Sequence, residues 1–277
     1  MNIKGKISWA LKASSHYVTM WIAYRYAKDF PQYFVVGFPR SGTSWLSEIV
    51  ADYYNLPRPR HYYLPVAFAA VLHTHFKPNR RFTNTFYIYR DGRDSYASSY
   101  FKSLRLMKDD PGFVRTPLFK RLFEGRTDNL TREDHQKNFL AYLKEEFRRG
   151  KHWANHIDEW QQASTVNPGI AILTFEGLLN NPEKEMEHAI SAISGNVDKE
   201  MLSGVIFKNS FAQQISRPKE QHRTILRKGK KNSWKECFSQ EAAEYFNERC
   251  GAKLIELGYE QSKDWAQSLP SISKSTV

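Results

Sequence analysis

The sequence predicts a single α/β domain with a central parallel sheet, flanking helices and a P-loop-like phosphate-binding loop. Strand-like segments alternate with helical segments, and 277 residues suffice for one sizeable core. The stretch "VGFPRSGTSW", Val36 to Trp45, also has the glycine spacing G-x-x-x-x-G of phosphate-binding loops. In sheets of this class, ligands bind at the carboxyl ends of the strands, so we expect the functional residues there.

Two strand, loop and helix units come first along the chain. The run "YFVVG", Tyr33 to Gly37, is rich in β-formers and ends in glycine, and a helix is predicted from Gly42 to about Tyr54. A second strand, "TFYIY" at 85–89, precedes the turn "RDGRD" and a helix over about 95–107. Both loops follow a strand and are therefore predicted at its carboxyl end.

The second half of the chain continues this alternation. One long helix is predicted from Asp134 to about Ser164, because apolar residues recur there at helical spacing. A third strand, "IAILTF" at 170–175, precedes a helix near Pro182 to Ile193, where proline can occupy the first turn. A last helix is predicted over about 240–257.

The chain ends lie outside the predicted domain, which extends over residues 31–262. Residues 263–277 read as a flexible tail, and residues 1–30 as a helical segment. In the latter, "YVTMWIAY" is too short to span a bilayer, but its aromatics stand among lysines and arginines, as in helices that lie on membranes. The alternatives are weak membrane association and an ordinary helix packed on the domain.

The net charge of +12 indicates an anionic partner: a nucleotide, a nucleic acid, an acidic lipid surface or an acidic glycan. Much of this charge falls between Arg217 and Lys235, a segment that contains eight basic residues and one acidic residue, Glu220. With its proline and glycine, the segment is predicted as a long loop that binds an anion or is simply solvated.

The two cysteines, Cys237 and Cys250, lack the spacing of a zinc site or a disulfide framework. They are compatible with a reducing compartment, and no cleavable signal pattern is recognisable at the N-terminus. We therefore expect a cytoplasmic protein, peripheral to a membrane if the N-terminal segment binds one, with no bound metal.

The first loop has an unusual order for a nucleotide-binding loop. Its backbone N–H groups and the dipole of the following helix can hold phosphate oxygens, helped by the hydroxyls of Ser41, Thr43 and Ser44. Kinases and ATPases carry a lysine where this chain has Thr43, and the strong cation is upstream at Arg40. Such a loop suits a donor whose transferred group carries less charge and needs no metal.

Further segments in the same order resemble the sulfotransferases that use 3′-phosphoadenosine 5′-phosphosulfate (PAPS), in particular the cytosolic type. "PRSGTSW" matches the loop that binds the 5′-phosphosulfate, and "LHTHFKP" matches the segment of the catalytic base. "RDGRDSYASSYF" fits the 3′-phosphate pattern R-x-x-x-D-x-x-x-S, followed by "FEGLLNNP", "NSFAQQ" and "RKGKKNSWK". These matches extend from about residue 33 to 250.

The resemblance implies a co-substrate, a product and a set of site residues. PAPS donates the sulfuryl group, 3′-phosphoadenosine 5′-phosphate (PAP) leaves, and the acceptor is a hydroxyl on a small molecule, glycan or lipid. His75 is implied as the general base, with His73 as the fallback, and Arg40 as the group that stabilises the leaving oxygen. The implied nucleotide-binding residues are Arg40, Ser41, Gly42, Thr43, Ser44, Trp45, Arg90, Ser98, Phe175, Phe211, Arg227, Lys228 and Gly229.

Several positions depart from the cytosolic pattern. The interval from Arg40 to His75 is short, which leaves the acceptor site more open or differently built. Arg40 stands where many members have lysine, His73 replaces a lysine, and Phe175 replaces a tyrosine that bonds adenine. The short interval weakens any assignment of a small phenol or steroid as the acceptor.

Two other functions remain open from the sequence. A P-loop kinase would share the strand, loop and helix, but its lysine is absent. A basic module that binds nucleic acid or an acidic membrane would show a salt dependence reflecting many phosphate contacts. Under the sulfotransferase interpretation, no nucleic-acid partner is expected.

Overall fold

The computed structural model describes residues 3–26, 29, 32–59, 64–79, 82–109, 122, 129–210, 212–213 and 232–272. These residues divide into two compact units. The first comprises residues 1–90 and 156–229, and the second comprises residues 91–155 and 230–277. Both are described below within the ranges given.

The first unit is an α/β layer structure around four parallel strands, as the sequence predicts. Helix α1 (Ile3–Tyr26) precedes β1 (Gln32–Val36), α2 (Thr43–Tyr53), β2 (Ala70–Thr74) and β3 (Thr85–Tyr89). After β4 (Ile170–Thr174) come three further helices of this unit: α6 (Phe175–Asn180), α7 (Pro182–Ser194) and α8 (Lys199–Lys208). The strand order is β2-β1-β3-β4, with every neighbouring pair parallel.

The second unit is helical. It contains α3 (Gly92–Asp109), α4 (Arg132–Arg148), the first residues of α5 (Trp153–Val166) and α9 (Gln240–Glu256). Two 3₁₀ helices, Ser233–Glu236 and Lys263–Ser268, complete its described elements. Aromatic rings fill its interior: Tyr96, Phe147, Trp153 and Phe246 pack together.

Both faces of the sheet are covered, as expected for parallel strands. Alternate strand residues such as Val35, Phe86 and Ile88 join one buried cluster with residues of α2, α7 and α8. On the other face, Phe82 makes edge-to-face contacts with Phe34 and with Tyr24 of α1. Trp160 of α5 stacks on Tyr87 there. The sheet is therefore buried on both faces, and we expect the functional surface where the strands end.

Several boundaries differ from the sequence predictions. The helix predicted from Asp134 to about Ser164 is two helices, since Gly150 between them has φ 76°, which a right-handed helix excludes. Strand β2, α6 and α8 were not predicted. Residues 263–268, assigned to the flexible tail, form a 3₁₀ helix because Trp265 is buried against Trp234.

Among the described residues, none of the helices combines the length and apolar composition needed to span a bilayer.

Candidate functional site

Each strand of the sheet is followed by a residue that the sequence analysis selected. The phosphate-binding loop begins at Gly37 directly after β1, His75 follows β2, Arg90 follows β3 and Phe175 follows β4. Parallel strands end on the same edge of a sheet, so the topology gathers these four positions at one edge. All four lie in the first unit.

The loop makes a tight turn into α2. Arg40 and Gly42 both have left-handed backbone conformations, with φ of 75° and 95°, and the Ser41 N–H donates to the Phe38 carbonyl at 3.1 Å. Gly42 is the N-cap of α2, which therefore points its first N–H groups and its positive dipole end at the loop. This is the geometry of an anion-binding nest.

The Ser41 side chain indicates that the loop is built for a ligand. Ser41 is fully buried, and its Oγ has no hydrogen-bond partner within the described part of the chain. A buried hydroxyl without a partner costs free energy, so such groups in native proteins usually serve a ligand or water. The loop residues thus fit a phosphate or phosphosulfate group.

Two glycines allow the loop to lie close to its neighbours. A Cβ on Gly37 would stand 2.3 Å from the Ile88 carbonyl oxygen, and one on Gly42 would stand 2.6 Å from the Phe175 ring. At Gly37 the obstacle is backbone, which cannot rotate away.

We expect Gly37→Ala to lower the free energy of unfolding by about 1–3 kcal/mol, because the added methyl group forces the strand ends apart. Urea unfolding measures the change. Gly204→Ala in α8 is the matched control, since a Cβ there meets nothing within 4 Å and alanine favours a helix. A Gly37→Ala protein as stable as the wild type would contradict this view of the loop.

His75 is held against the loop by a short hydrogen bond. Its Nδ1 lies 2.6 Å from the Gly37 carbonyl oxygen. The pairing of Val36 with Thr74 in adjacent parallel strands brings the next residues, Gly37 and His75, together. A carbonyl oxygen only accepts, so Nδ1 carries the proton, and Nε2 of the neutral ring retains its lone pair.

The fallback histidine, His73, lies nearby but is less accessible. Its ring is 4.8 Å from that of His75 in an edge-to-face arrangement. His73 is half-buried on β2, opposite Val35, whereas His75 is exposed beyond the strand end. Of the two, His75 is better placed to meet an acceptor.

A third histidine, His156 of α5, lies close to His75. Burial lowers the pKa of His156 to about 4, and the nearby His75 and Lys77 side chains act in the same direction. Burial also raises the pKa of Tyr87, whose hydroxyl lies 2.9 Å from Nδ1 of His156. His156 is therefore neutral at physiological pH. Its proximity to His75 could not be read from the sequence, because 81 residues separate them.

Arg90 and the aromatic residues of the loop form a second cluster. The guanidinium of Arg90 lies over the Phe175 ring, 4.4 Å from its centroid, and Phe175 makes an edge-to-face contact with Trp45. The Trp45 indole N–H donates to the Asn209 carbonyl at 2.9 Å. Trp45 is 7% exposed and Phe175 4%, so both rings serve chiefly in packing. Their contact with adenine stays a prediction.

The remaining predicted ligands lie elsewhere. Ser98 is buried on α3 in the second unit, and its role at the 3′-phosphate stays a prediction. Phe211, Arg227, Lys228 and Gly229 lie outside the described residues.

Asp94, the acidic member of the R-x-x-x-D-x-x-x-S pattern, has a structural role within the second unit. Its buried carboxylate accepts hydrogen bonds from the Asn232 N–H, the Ser233 hydroxyl and the Trp234 N–H at 2.9–3.1 Å. Next to it, Arg93 lies over the rings of Trp234 and Trp265 and pairs with Asp91 and Glu260. Together these contacts fix the end of the "RKGKKNSWK" segment to α3.

Comparison with known proteins agrees with the sequence patterns. Residues 69–258, more than half of the chain, match the family model described as the sulfotransferase domain. The phosphate-binding loop lies before this range. Sulfotransferase 1B1 of mouse is 23% identical, with 77% of this chain and 79% of the mouse protein covered.

Solved structures show the same fold. Mouse sulfotransferase SULT7A1, solved in complex with PAP, superposes with a TM-score of 0.59 at 17% identity, covering 86% of this chain and 89% of that one. Retinol dehydratase, solved with androsterone and the inactive cofactor PAP, gives 0.55 at 16% identity, covering 81% and 80%.

Proposed function

Because this chain belongs to the sulfotransferase domain family, we propose that it transfers a sulfuryl group from PAPS to an acceptor hydroxyl. The observation that carries the proposal is the 2.6 Å hydrogen bond between His75 Nδ1 and the Gly37 carbonyl. It joins the proposed base to the first residue of the proposed donor-binding loop. The base and the loop are thereby positioned by one contact.

The hydroxyl and backbone N–H groups of the loop are chemically suited to bind the donor. The buried Ser41 hydroxyl, the N-terminal N–H groups of α2 and the hydroxyls of Thr43 and Ser44 would bind the 5′-phosphosulfate. Arg40 would bring a fixed positive charge to the oxygen that becomes anionic on transfer. When bound, PAPS supplies an activated sulfuryl group and an adenosine bisphosphate leaving group.

The proposed role of His75 follows from its tautomer. With Nδ1–H engaged by the Gly37 carbonyl, Nε2 accepts the proton from the acceptor hydroxyl as its oxygen attacks. Donating Nδ1–H to the carbonyl also favours the protonated ring that results, since that ring keeps the same hydrogen bond. In this proposal, Ser41 binds the donor, Arg40 stabilises the leaving oxygen, and His75 accepts the proton of the acceptor hydroxyl.

The direct test is transfer of labelled sulfate from PAPS onto a panel of phenols, lipid alcohols and oligosaccharides. We expect at least one acceptor to be labelled, with one PAP released per sulfate. A parallel assay with ATP labelled in its terminal phosphate distinguishes the kinase alternative. Labelling from ATP, with none from PAPS and no binding of PAP, would overturn the proposal.

We expect the transfer rate to be unchanged after dialysis against a strong chelator. Thr43 occupies the position of the lysine around which P-loop enzymes organise magnesium, and the donor's transferred group does not require charge neutralisation by a metal. Rates are measured before and after dialysis, with a magnesium-dependent kinase as the positive control. A large loss that magnesium restores would contradict this expectation.

A further inference from the structure

Helix α1 leaves several large apolar side chains exposed on one side. Ser15, Thr19, Met20 and Ala23 face the rest of the first unit. The opposite side carries four exposed large residues, here termed the α1 exposed face: Leu11, Tyr17, Val18 and Trp21. Tyr26 in the last turn is also exposed, and its ring lies against that of Trp21. Tyr17 is 65% exposed and Trp21 60%. A water-facing helix surface normally has the reverse pattern.

The central members of this face form a continuous strip. Tyr17 and Trp21 are four residues apart and Val18 and Trp21 three, so they are neighbours on the helix surface. The segment beside α1 adds exposed apolar residues. Leu64 is 78% and Phe68 49% exposed, and Val66 between them donates its N–H to the Thr19 hydroxyl at 2.9 Å. Adjacent exposed apolar side chains such as Tyr17, Val18 and Trp21 mark an interaction site.

The positive charge of the helix favours an anionic lipid surface over a second copy of the chain as the partner. Residues 3–26 include four lysines or arginines and no aspartate or glutamate, in a chain of net charge +12. A symmetric dimer through this helix would bring like charges together. An anionic lipid surface instead offers opposite charge to the basic residues and an apolar boundary to the rings. Tryptophan and tyrosine are enriched at that boundary.

We propose that α1 lies on an anionic membrane, with its exposed face inserted at the boundary between headgroups and acyl chains. The helix presents this face without rearrangement, because its other side is already packed on the first unit through Met20, Ala23 and the Thr19 hydroxyl.

The docking face adjoins the proposed catalytic base. Tyr17 stacks on Phe76, with ring centroids 5.9 Å apart and an interplanar angle of 22°, and the His16 ring lies 5.3 Å from the same ring. Phe76 is the residue after His75. A membrane reached by Tyr17 is therefore also near the segment that carries His75. Resting on the proposed function, the acceptor is then the hydroxyl of an amphiphile held in the bilayer.

Vesicle binding tests the docking surface without reference to catalysis. The full chain is floated with vesicles of pure phosphatidylcholine or of phosphatidylcholine with about a third phosphatidylglycerol. We expect retention on the anionic vesicles and little on the neutral ones. Trp21→Glu should weaken this retention about tenfold or more, since it removes the largest ring and adds repulsion from the surface.

Phe207→Glu is the matched control. Phe207 is 68% exposed on α8, away from α1, and the substitution makes the same change of charge. Circular dichroism and thermal unfolding verify that both variants fold. Failure of the wild type to bind anionic vesicles, or equal retention of the two variants, would overturn the proposal. So would a dimer in sedimentation that Trp21→Glu abolishes, since the face would then bind a second copy.

A second assay separates this inference from the proposed function. Transfer from PAPS is measured onto a long-chain alcohol in anionic vesicles and onto a water-soluble alcohol. Trp21→Glu should slow the first reaction and leave the second unchanged. Equal rates for the two variants on the vesicle-borne alcohol would overturn the inference about the acceptor. Absence of both reactions with intact vesicle binding would overturn the proposed function and leave the docking surface standing.

Discussion

His75→Ala should lower the rate of sulfuryl transfer by 10²- to 10⁴-fold, the usual contribution of a general base. In the wild type, the bond from Nδ1 to the Gly37 carbonyl leaves Nε2 as the proton acceptor, and alanine has no replacement for it. The affinity for PAP should change little, because the loop's N–H groups and the Ser41 hydroxyl remain. Single-turnover transfer and calorimetry with PAP measure the two quantities.

His73→Ala serves as the comparison, since it removes a second imidazole from the same edge of the sheet. We expect it to retain most of the activity. Loss of the general base should also flatten the rise of rate with pH, which a purely structural defect would not do. If His75→Ala retains more than about a tenth of the wild-type rate, His75 is not the base and His73 becomes the residue to test.

Adenosine 3′,5′-bisphosphate should bind at least about 10²-fold more tightly than adenosine 5′-phosphate. The motifs predict that Arg90, Ser98, Arg227, Lys228 and Gly229 bind the 3′-phosphate. Hydrogen bonds to charged groups contribute roughly 1.5–3 kcal/mol each. The loss of two or three such hydrogen bonds therefore lowers the affinity more than a hundredfold. Titration calorimetry with the two nucleotides measures the difference.

Arg90→Ala and Arg227→Ala should each remove most of this preference without changing the affinity for adenosine 5′-phosphate. Arg249→Ala is the control, because Arg249 is an exposed arginine of α9 that lies over the Tyr245 ring. Circular dichroism is needed for Arg90→Ala, since the guanidinium also packs on Phe175. Equal affinity of the wild type for the two nucleotides would contradict the PAPS assignment.

The sequence predicted those elements whose signals are local. The strand before Gly37, the loop and α2 were found because glycine spacing and helical periodicity act within a dozen residues. Strand β2 was missed because "AVLHT" is short and begins with alanine, which is depleted in strands. Its strand conformation comes from pairing with β1 along its whole length, which is a long-range property.

Candidate residues for the site could be selected from the sequence, but their contacts could not be predicted. His75 could be selected from a motif, yet its tautomer depends on the carbonyl that the strand register places beside it. Trp45 could be selected from the loop motif, but the hydrogen bond from its indole N–H to the Asn209 carbonyl, 164 residues along the chain, could not. The role of Asp94 was likewise hidden, because its partners come only near the end of the chain.

The partners of Asp94 also affect the order in which the chain can mature during synthesis. The four strands of the first unit are complete once Thr174 has left the ribosome. The residues that donate hydrogen bonds to Asp94 follow it by 138 to 140 residues and are therefore synthesised later. At about 5–20 residues per second, this interval lasts roughly 7–28 s. Until then its carboxylate has to stay hydrated, because burying an unpaired charge is costly. We therefore expect the nascent chain to form its parallel sheet first and the helical unit only after residues 232–234 have been synthesised.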